Sequence, residues 1–126
     1  MKFVDKQLSI KLKEKGFNRP CINAYNAHGC QYLNGWCEYL DERDTDFIYL
    51  SDLHDKDCLC PTVDQVLEWL REEKDFMVFP VYSKNTSRWY CEIVNADSLE
   101  SEKLPLSDSY EDACIAGIEY VINNLI

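Results

Sequence analysis

The segment of residues 61–74, Pro-Thr-Val-Asp-Gln-Val-Leu-Glu-Trp-Leu-Arg-Glu-Glu-Lys, constrains the fold of this chain more than any other. Pro61 disfavours helix before it, and Thr62 with Gln65 three residues later has the spacing of a capping box, so the sequence predicts that a helix begins here. Apolar residues then recur at the helical period: Val63, Val66, Leu67 and Leu70, with Trp69 beside them. A stripe this wide predicts a helix that buries one side against a sheet.

The remaining pattern mixes helices and strands along one domain, which we predict to span residues 1–126. A short helix is predicted from Asp5 to Lys15, ended by Gly16, and a longer apolar helix over residues 109–125. Two strands are predicted over residues 76–82 and 88–94, the first at a sheet edge or bulged at Pro80, because proline cannot donate a hydrogen bond. Gly117 is costly inside a helix, which predicts a close approach to a neighbouring element. The expected fold is α+β in two layers: an antiparallel sheet of four to six strands, with two main helices on one face and the short N-terminal helix at an edge.

Three further stretches carry local predictions. Leu-Asn-Gly-Trp at residues 33–36 is a strong hairpin signal, because Asn-Gly suits the two positive φ angles of a type I′ turn. Residues 47–50 predict a short strand. Residues 95–109 are acidic, contain a proline and show no period, which predicts a mobile loop.

The composition indicates in which cellular compartment the protein folds. The seven cysteines are an odd number, several of them within apolar patterns, and this usage is typical of reduced buried thiols rather than of a disulfide framework. The amino-terminal residues lack the apolar core of a signal peptide, and no apolar run is long enough to cross a membrane. We therefore expect a cytoplasmic protein.

The charge is strongly negative and unevenly distributed. The formal net charge is −10, with a basic stretch in residues 1–20 and acidic stretches in residues 41–57 and 92–112. This balance argues against nonspecific binding to nucleic acid or to an anionic membrane, since both attract positive surfaces. It permits a basic protein partner, although colloidal solubility explains a net charge of this sign equally simply.

Two sets of carboxylates are candidates for partner binding. Asp64, Glu68 and Glu72 recur every four residues and would form one acidic ridge along the predicted helix. The preceding loops add Asp44, Asp46, Asp52 and Asp55. The alternative for both sets is an exposed helix side beside a solvated loop.

A metal or ligand site is the second functional hypothesis. His54, Cys58 and Cys60 lie within seven residues, and thiolate and imidazole ligands suit Zn²⁺. A fourth ligand would have to come from His28, Cys30 or Cys37. The paired Cys-x₂-Cys spacing of zinc knuckles is absent, so no cofactor is predicted.

Catalytic signals are weaker still. His28 and Cys30 are close in sequence, but no third group that would orient the histidine is visible, and no catalytic residue is predicted. Three tryptophans and eight tyrosines are many for this length, and such residues either anchor a partner or fill a core.

Four short motifs of this chain carry a resemblance to known proteins. They are Lys-x-Lys-Glu-x-Gly-Phe at residues 11–17, Pro-Thr-x-x-Gln-Val-x-x-Trp within residues 61–74, the pair Trp89-Tyr90, and Tyr-Glu-Asp-Ala at residues 110–113. Together they resemble small acidic proteins from phages and mobile elements of gut Bacteroidetes, over about the whole chain. The long acidic stretch of residues 41–57 departs from that pattern. The resemblance implies an origin and carries no functional residue. The sequence therefore favours a non-enzymatic interaction module with an acidic surface for a basic protein partner, with a small metal- or ligand-binding domain as the alternative.

Overall fold

A computed structural model of the chain describes residues 2–26, 31–33 and 47–126, with only the backbone described for residues 31–33 and Asp52. The chain divides into two compact units, one of residues 3–62 and one of residues 63–126 together with Lys2. The single domain over residues 1–126 stays a prediction. Among the helices of these described segments, none is both long enough and apolar enough to cross a membrane.

The first unit begins with helix α1 (Lys6–Glu14). Asp5 caps its amino terminus, since the Asp5 carboxylate accepts a hydrogen bond of 2.8 Å from the backbone N–H of Leu8. Gly16 follows the helix with φ of 92°, a left-handed conformation that favours glycine. Beyond it, Phe17 donates its backbone N–H to the carbonyl of Leu12, and both side chains are buried. The predicted short first helix and its glycine stop are confirmed.

Three short strands complete the first unit. β1 (Asn23–Tyr25), β2 (Gln31–Leu33) and β3 (Cys58–Leu59) form an antiparallel sheet in the order β2-β1-β3. Ala24 pairs with Tyr32 on one side and with Leu59 on the other. The expected Asn34-Gly35 turn lies outside the described residues. The strand predicted over residues 47–50 was wrong: Ile48 makes only an isolated bridge to Cys21, and a short 3₁₀ turn (Leu50–Asp52) follows.

The second unit contains two helices and a longer sheet. Helix α2 (Val63–Glu73) starts directly after Thr62, as predicted. β4 (Phe76–Ser83), β5 (Arg88–Asn95) and β6 (Ser101–Lys103) form an antiparallel sheet in that order, and helix α3 (Tyr110–Asn124) follows. The Ser109 hydroxyl caps α3 by accepting a hydrogen bond of 3.1 Å from the N–H of Asp112. Both helices contact the sheet and each other.

Gly117 marks the closest approach of α3 to the sheet. An ideal Cβ at this position would lie 2.5 Å from Val78 Cγ1 and 2.7 Å from Cys91 Sγ, closer than real Cβ atoms pack. The predicted close approach at Gly117 is confirmed. Around this contact lies a buried core from α3 and β5: Ala113, Cys114, Ile118, Val121, Ile122, Cys91 and Ile93.

The mixed α+β class is confirmed, but the single sheet of four to six strands was wrong for the described residues, which form two sheets of three strands. Among the described strands, β4 lies at one edge of its sheet, as the position of Pro80 predicted. Trp89 and Cys91 direct their backbone groups toward Ser107 and Leu104, so their register partners in β4, Tyr82 and Pro80, direct theirs to the outer edge. A proline there offers no N–H to a further strand, which limits extension of the sheet.

The segment of residues 95–109 is more ordered than its sequence predicts. It contains β6, which pairs with β5 through Glu92–Lys103, Ile93–Glu102 and Val94–Ser101. A turn of residues 96–98 is held by the Asn95 side chain, which accepts hydrogen bonds from the N–H groups of Asp97 and Ser98. The three residues of β6 are all exposed, so no apolar alternation signals the strand.

Candidate functional site

The acidic ridge of α2 consists of Asp64, Glu68 and Glu72, and all three side chains are exposed. The opposite side of the same helix is buried, through Val63, Val66, Trp69 and Leu70. Because the buried side fixes the rotation of the helix, the three carboxylates are held toward solvent. The ridge predicted from the spacing of four residues is therefore present in the second unit.

The loop carboxylates belong to the first unit. Asp44 and Asp46 lie outside the described residues, and only the backbone of Asp52 is described. Asp55 is exposed, and its backbone carbonyl accepts a hydrogen bond of 2.6 Å from the ammonium of Lys13. The same ammonium donates to the carbonyl of Asp57 at 2.8 Å. One lysine of α1 thus fixes the backbone of this acidic loop and leaves the Asp55 carboxylate directed to solvent.

The proposed metal ligands differ in their surroundings. His54 is exposed, whereas Cys58 and Cys60 are buried. The Cys60 thiol lies 3.5 Å from the Val4 carbonyl, in the geometry of a weak hydrogen bond. Within the described residues, no group of three or more His, Cys, Asp or Glu side chains could hold a metal ion. The structure therefore does not bring the predicted trio together as a ligand set, while Cys30, Cys37 and His28 lie outside the described residues.

Four of the described thiols are poor nucleophiles. Burial raises the pKa of Cys21 and of Cys91 to about 12 and that of Cys114 to about 11. Burial also raises the pKa of Cys58, against the opposing effect of Lys13 and Lys6. Because the thiolate is the reactive form, these groups stay protonated and unreactive near neutral pH. The earlier candidate pair, His28 and Cys30, lies outside the described residues.

Open cavities occur among the described residues of both units. The second unit has one of about 260 Å³, in which Phe76, Ile93 and Leu125 face the carboxylates of Glu100 and Glu102. A second, of about 350 Å³, lies between α3 and residues 104–107. The first unit has one of about 440 Å³ between α1 and residues 55–58. None of the three is lined by histidine, the most common general base.

A cluster of aromatic side chains lies where α3 begins. The ring of Trp89 on β5 packs edge-to-face against Tyr82 of β4 and against Tyr110 of α3, with centroids 5.3 Å apart in each pair. Tyr82 is 47% exposed and Tyr110 is 39% exposed. We call these three residues the aromatic cluster. Sequence reasoning missed it because the rings come from three elements; the only signal was the general abundance of aromatic residues.

Acidic residues lie close to Tyr110 of the aromatic cluster. Asp108 and Glu111 lie within two residues of Tyr110 in sequence and are exposed. The pKa of Tyr110 is raised by Cys114, by burial, and by the carboxylates of Asp64 and Glu111. Asp64 is the first residue of the α2 ridge, so this end of the ridge lies within electrostatic range of Tyr110.

The charge of the second unit is more negative than the sequence average suggests. Residues 63–126 carry thirteen Asp and Glu against five Lys and Arg, a net charge of −8 out of the −10 of the whole chain. The acidic ridge and the aromatic cluster therefore both lie in the part of the chain with most of the excess negative charge.

Comparisons of this chain with protein-family models, with curated proteins and with solved structures found no match.

Proposed function

We propose that this chain is a non-enzymatic protein-interaction module that engages a basic protein partner through the acidic ridge of α2. The observation that carries the proposal is the rigid presentation of Asp64, Glu68 and Glu72, exposed on a helix whose other side is buried. Fixed charges of one sign steer a partner of opposite charge and set its orientation. The same charges repel phosphate backbones, so the partner is a protein rather than nucleic acid or a membrane.

The loop carboxylates of the first unit are a separate candidate for partner binding. Asp55 is exposed beside a backbone fixed by Lys13, and Asp44, Asp46 and Asp52 are neighbours in sequence. Because these residues belong to the first unit, their contribution is tested separately from that of the ridge. We expect them to add to the affinity by increasing the rate of association.

We further propose a cytoplasmic location and a phage or mobile-element origin. The location is supported by the five described cysteines, which are buried thiols outside any disulfide, as expected of a protein folded in a reducing compartment. The origin is supported by the motifs of residues 11–17, 61–74 and 110–113.

Capture from a Bacteroidetes lysate tests the function. The full chain is compared with a ridge variant, Asp64→Asn, Glu68→Gln and Glu72→Gln, at low and moderate salt. A matched control, Asp97→Asn, Glu100→Gln and Glu119→Gln, changes the net charge equally at three other exposed positions. A third variant neutralises Asp44, Asp46, Asp52 and Asp55 together.

We expect a basic protein that is retained by the wild type and by the control and is lost with salt or with the ridge variant. Exposed ion pairs contribute about 0.2–1 kcal/mol each, so three neutralised carboxylates weaken the purified complex by roughly tenfold. Equal loss in the ridge variant and the control would mean that only net charge matters, and retention of the partner by the ridge variant would refute the proposal.

A further inference from the structure

The aromatic cluster has exposed ring surface that its packing role does not require. Edge-to-face pairs such as Trp89–Tyr82 and Trp89–Tyr110 stabilise a fold when they are buried. Here Tyr82 and Tyr110 keep 47% and 39% of their surface exposed, and Leu106 nearby is 37% exposed. The exposed rings lie near the start of α3, beyond the part of the sheet that the helix covers at Gly117 and Cys91.

The charge around the cluster selects a positive occupant. Asp108 and Glu111 are exposed beside it, and Asp64 of the ridge acts on Tyr110. Two of the carboxylates nearby already accept cations of the same unit: Asp108 binds Arg88 at 2.9 Å and Asp112 binds Lys2 at 3.5 Å. The side chain of Asp108 is 86% exposed and that of Asp112 is 52% exposed, so both ion pairs lie at the surface. A competing cation can replace Arg88 or Lys2 in such a pair at little cost in free energy.

Aromatic faces bind cations through the electrostatics of the ring, tryptophan most strongly and tyrosine next. Guanidinium groups are favoured over ammonium groups because they also stack on the ring. A site that combines Trp89 and two tyrosines with flanking carboxylates therefore matches an arginine side chain better than an apolar or acidic one.

We infer that the aromatic cluster of Tyr82, Trp89 and Tyr110 is the anchor site for an arginine side chain of the basic partner. The inference rests on the proposed function and adds the part of the surface that gives specificity. The ridge attracts the basic segment, and the cluster holds one guanidinium group against its rings while Asp108 or Glu111 accepts its hydrogen bonds.

The test uses the full ¹⁵N-labelled chain and a blocked tetra-arginine peptide, with a blocked tetraglutamate peptide as the charge control. The indole N–H resonance of Trp89, assigned by its loss in Trp89→Phe, reports binding at the cluster. The resonance of Trp69, which is buried in α2, reports whether the fold is intact. We expect a saturable shift at Trp89 with the arginine peptide, weakened by salt, and none with the glutamate peptide.

Variants separate recognition by the rings from attraction by charge. Tyr82→Leu with Tyr110→Leu removes two rings at exposed positions without a change in charge, and we expect affinity to fall about five- to thirtyfold, as for the loss of one or two cation–π contacts. Tyr82→Phe with Tyr110→Phe keeps the rings and should restore wild-type affinity. Phe79→Leu is the matched control, since Phe79 is 46% exposed on the opposite face of the same sheet.

The outcomes distinguish this inference from the proposed function. If the peptide shifts the amides of Asp64, Glu68 and Glu72 but affinity is unchanged by Tyr82→Leu with Tyr110→Leu, the ridge binds without the cluster and the inference is overturned while the function stands. Equal shifts with the glutamate peptide, or no shift at Trp89 with either peptide, also overturn the inference.

Discussion

Replacing Gly117 by alanine tests the packing of α3 on the sheet. The added Cβ would meet Val78 Cγ1 at 2.5 Å and Cys91 Sγ at 2.7 Å, and neither atom is the end of a long flexible side chain. Two such contacts should lower the free energy of unfolding by about 2–3 kcal/mol, the upper part of the range for overpacked cores. The better helix propensity of alanine should raise it by about 1 kcal/mol. We therefore expect Gly117→Ala to lower the free energy of unfolding by about 1–2 kcal/mol, measured by equilibrium urea unfolding.

Removing the two neighbours should reverse the sign of this effect. In a background with Val78→Ala and Cys91→Ala, the nearest remaining contact of the added Cβ is Cys91 Cβ at 3.4 Å, an ordinary van der Waals distance. Gly117→Ala should then stabilise the variant by about 1 kcal/mol through helix propensity alone. Ala116→Gly at the neighbouring helical position calibrates that propensity term. Destabilisation of similar size in both backgrounds would refute the steric argument.

Three further perturbations test individual contacts. Ser109→Ala removes the hydroxyl that accepts from the Asp112 N–H and should cost about 1 kcal/mol in urea unfolding, and an unchanged midpoint would show that the cap is not needed. The pKa values of Cys91 and Cys114, about 12 and about 11, are raised by burial above the ordinary 9.0, so thiolates form first in the unfolded chain and stability should fall as pH rises from 9 toward 12. A variant with both cysteines replaced by alanine should show a shallower decline, and an identical slope would assign the effect to other groups. Leu12→Ala, at a fully buried position of α1, should cost about 2–5 kcal/mol in thermal unfolding of the first unit, and a loss below about 1 kcal/mol would mean that the core collapses around the truncated side chain.

The helices were predictable because local chemistry determines where they begin and end. Asp5 and Ser109 each supply the side-chain acceptor that the first helical turn lacks, and Gly16 supplies the left-handed residue after α1. Such signals lie within a few residues of the helix end, so the sequence alone contains them.

The division into two sheets was not predictable in the same way. Strand pairing joins residues far apart in the chain, such as Ala24 with Leu59, and the apolar pattern of a strand does not identify its partner. β6 was missed for a further reason, since Ser101, Glu102 and Lys103 are all exposed and show no alternation. Its position depends on backbone pairing with β5 and on the turn held by Asn95.

Of the candidate functional residues, too, only those determined by local sequence could be predicted. The ridge of Asp64, Glu68 and Glu72 follows from a spacing of four residues on one helix, so it could be predicted. The aromatic cluster could not, because Tyr82 and Trp89 become neighbours through the register of β4 and β5, and Tyr110 joins them only when α3 packs on the sheet.

The distribution of cations leaves the second unit with a large excess of carboxylates. The amino-terminal lysines are the main excess of positive charge in the sequence, yet Lys13 donates hydrogen bonds to the carbonyls of Asp55 and Asp57 within its own unit. Residues 63–126 contain five Lys and Arg for thirteen Asp and Glu, and one of the five, Arg88, already pairs with Asp108. The cations within this segment cannot balance its carboxylates one for one. A basic partner would supply the missing charge, and exposed rings beside the carboxylates would favour arginine over a diffuse cloud of small counterions.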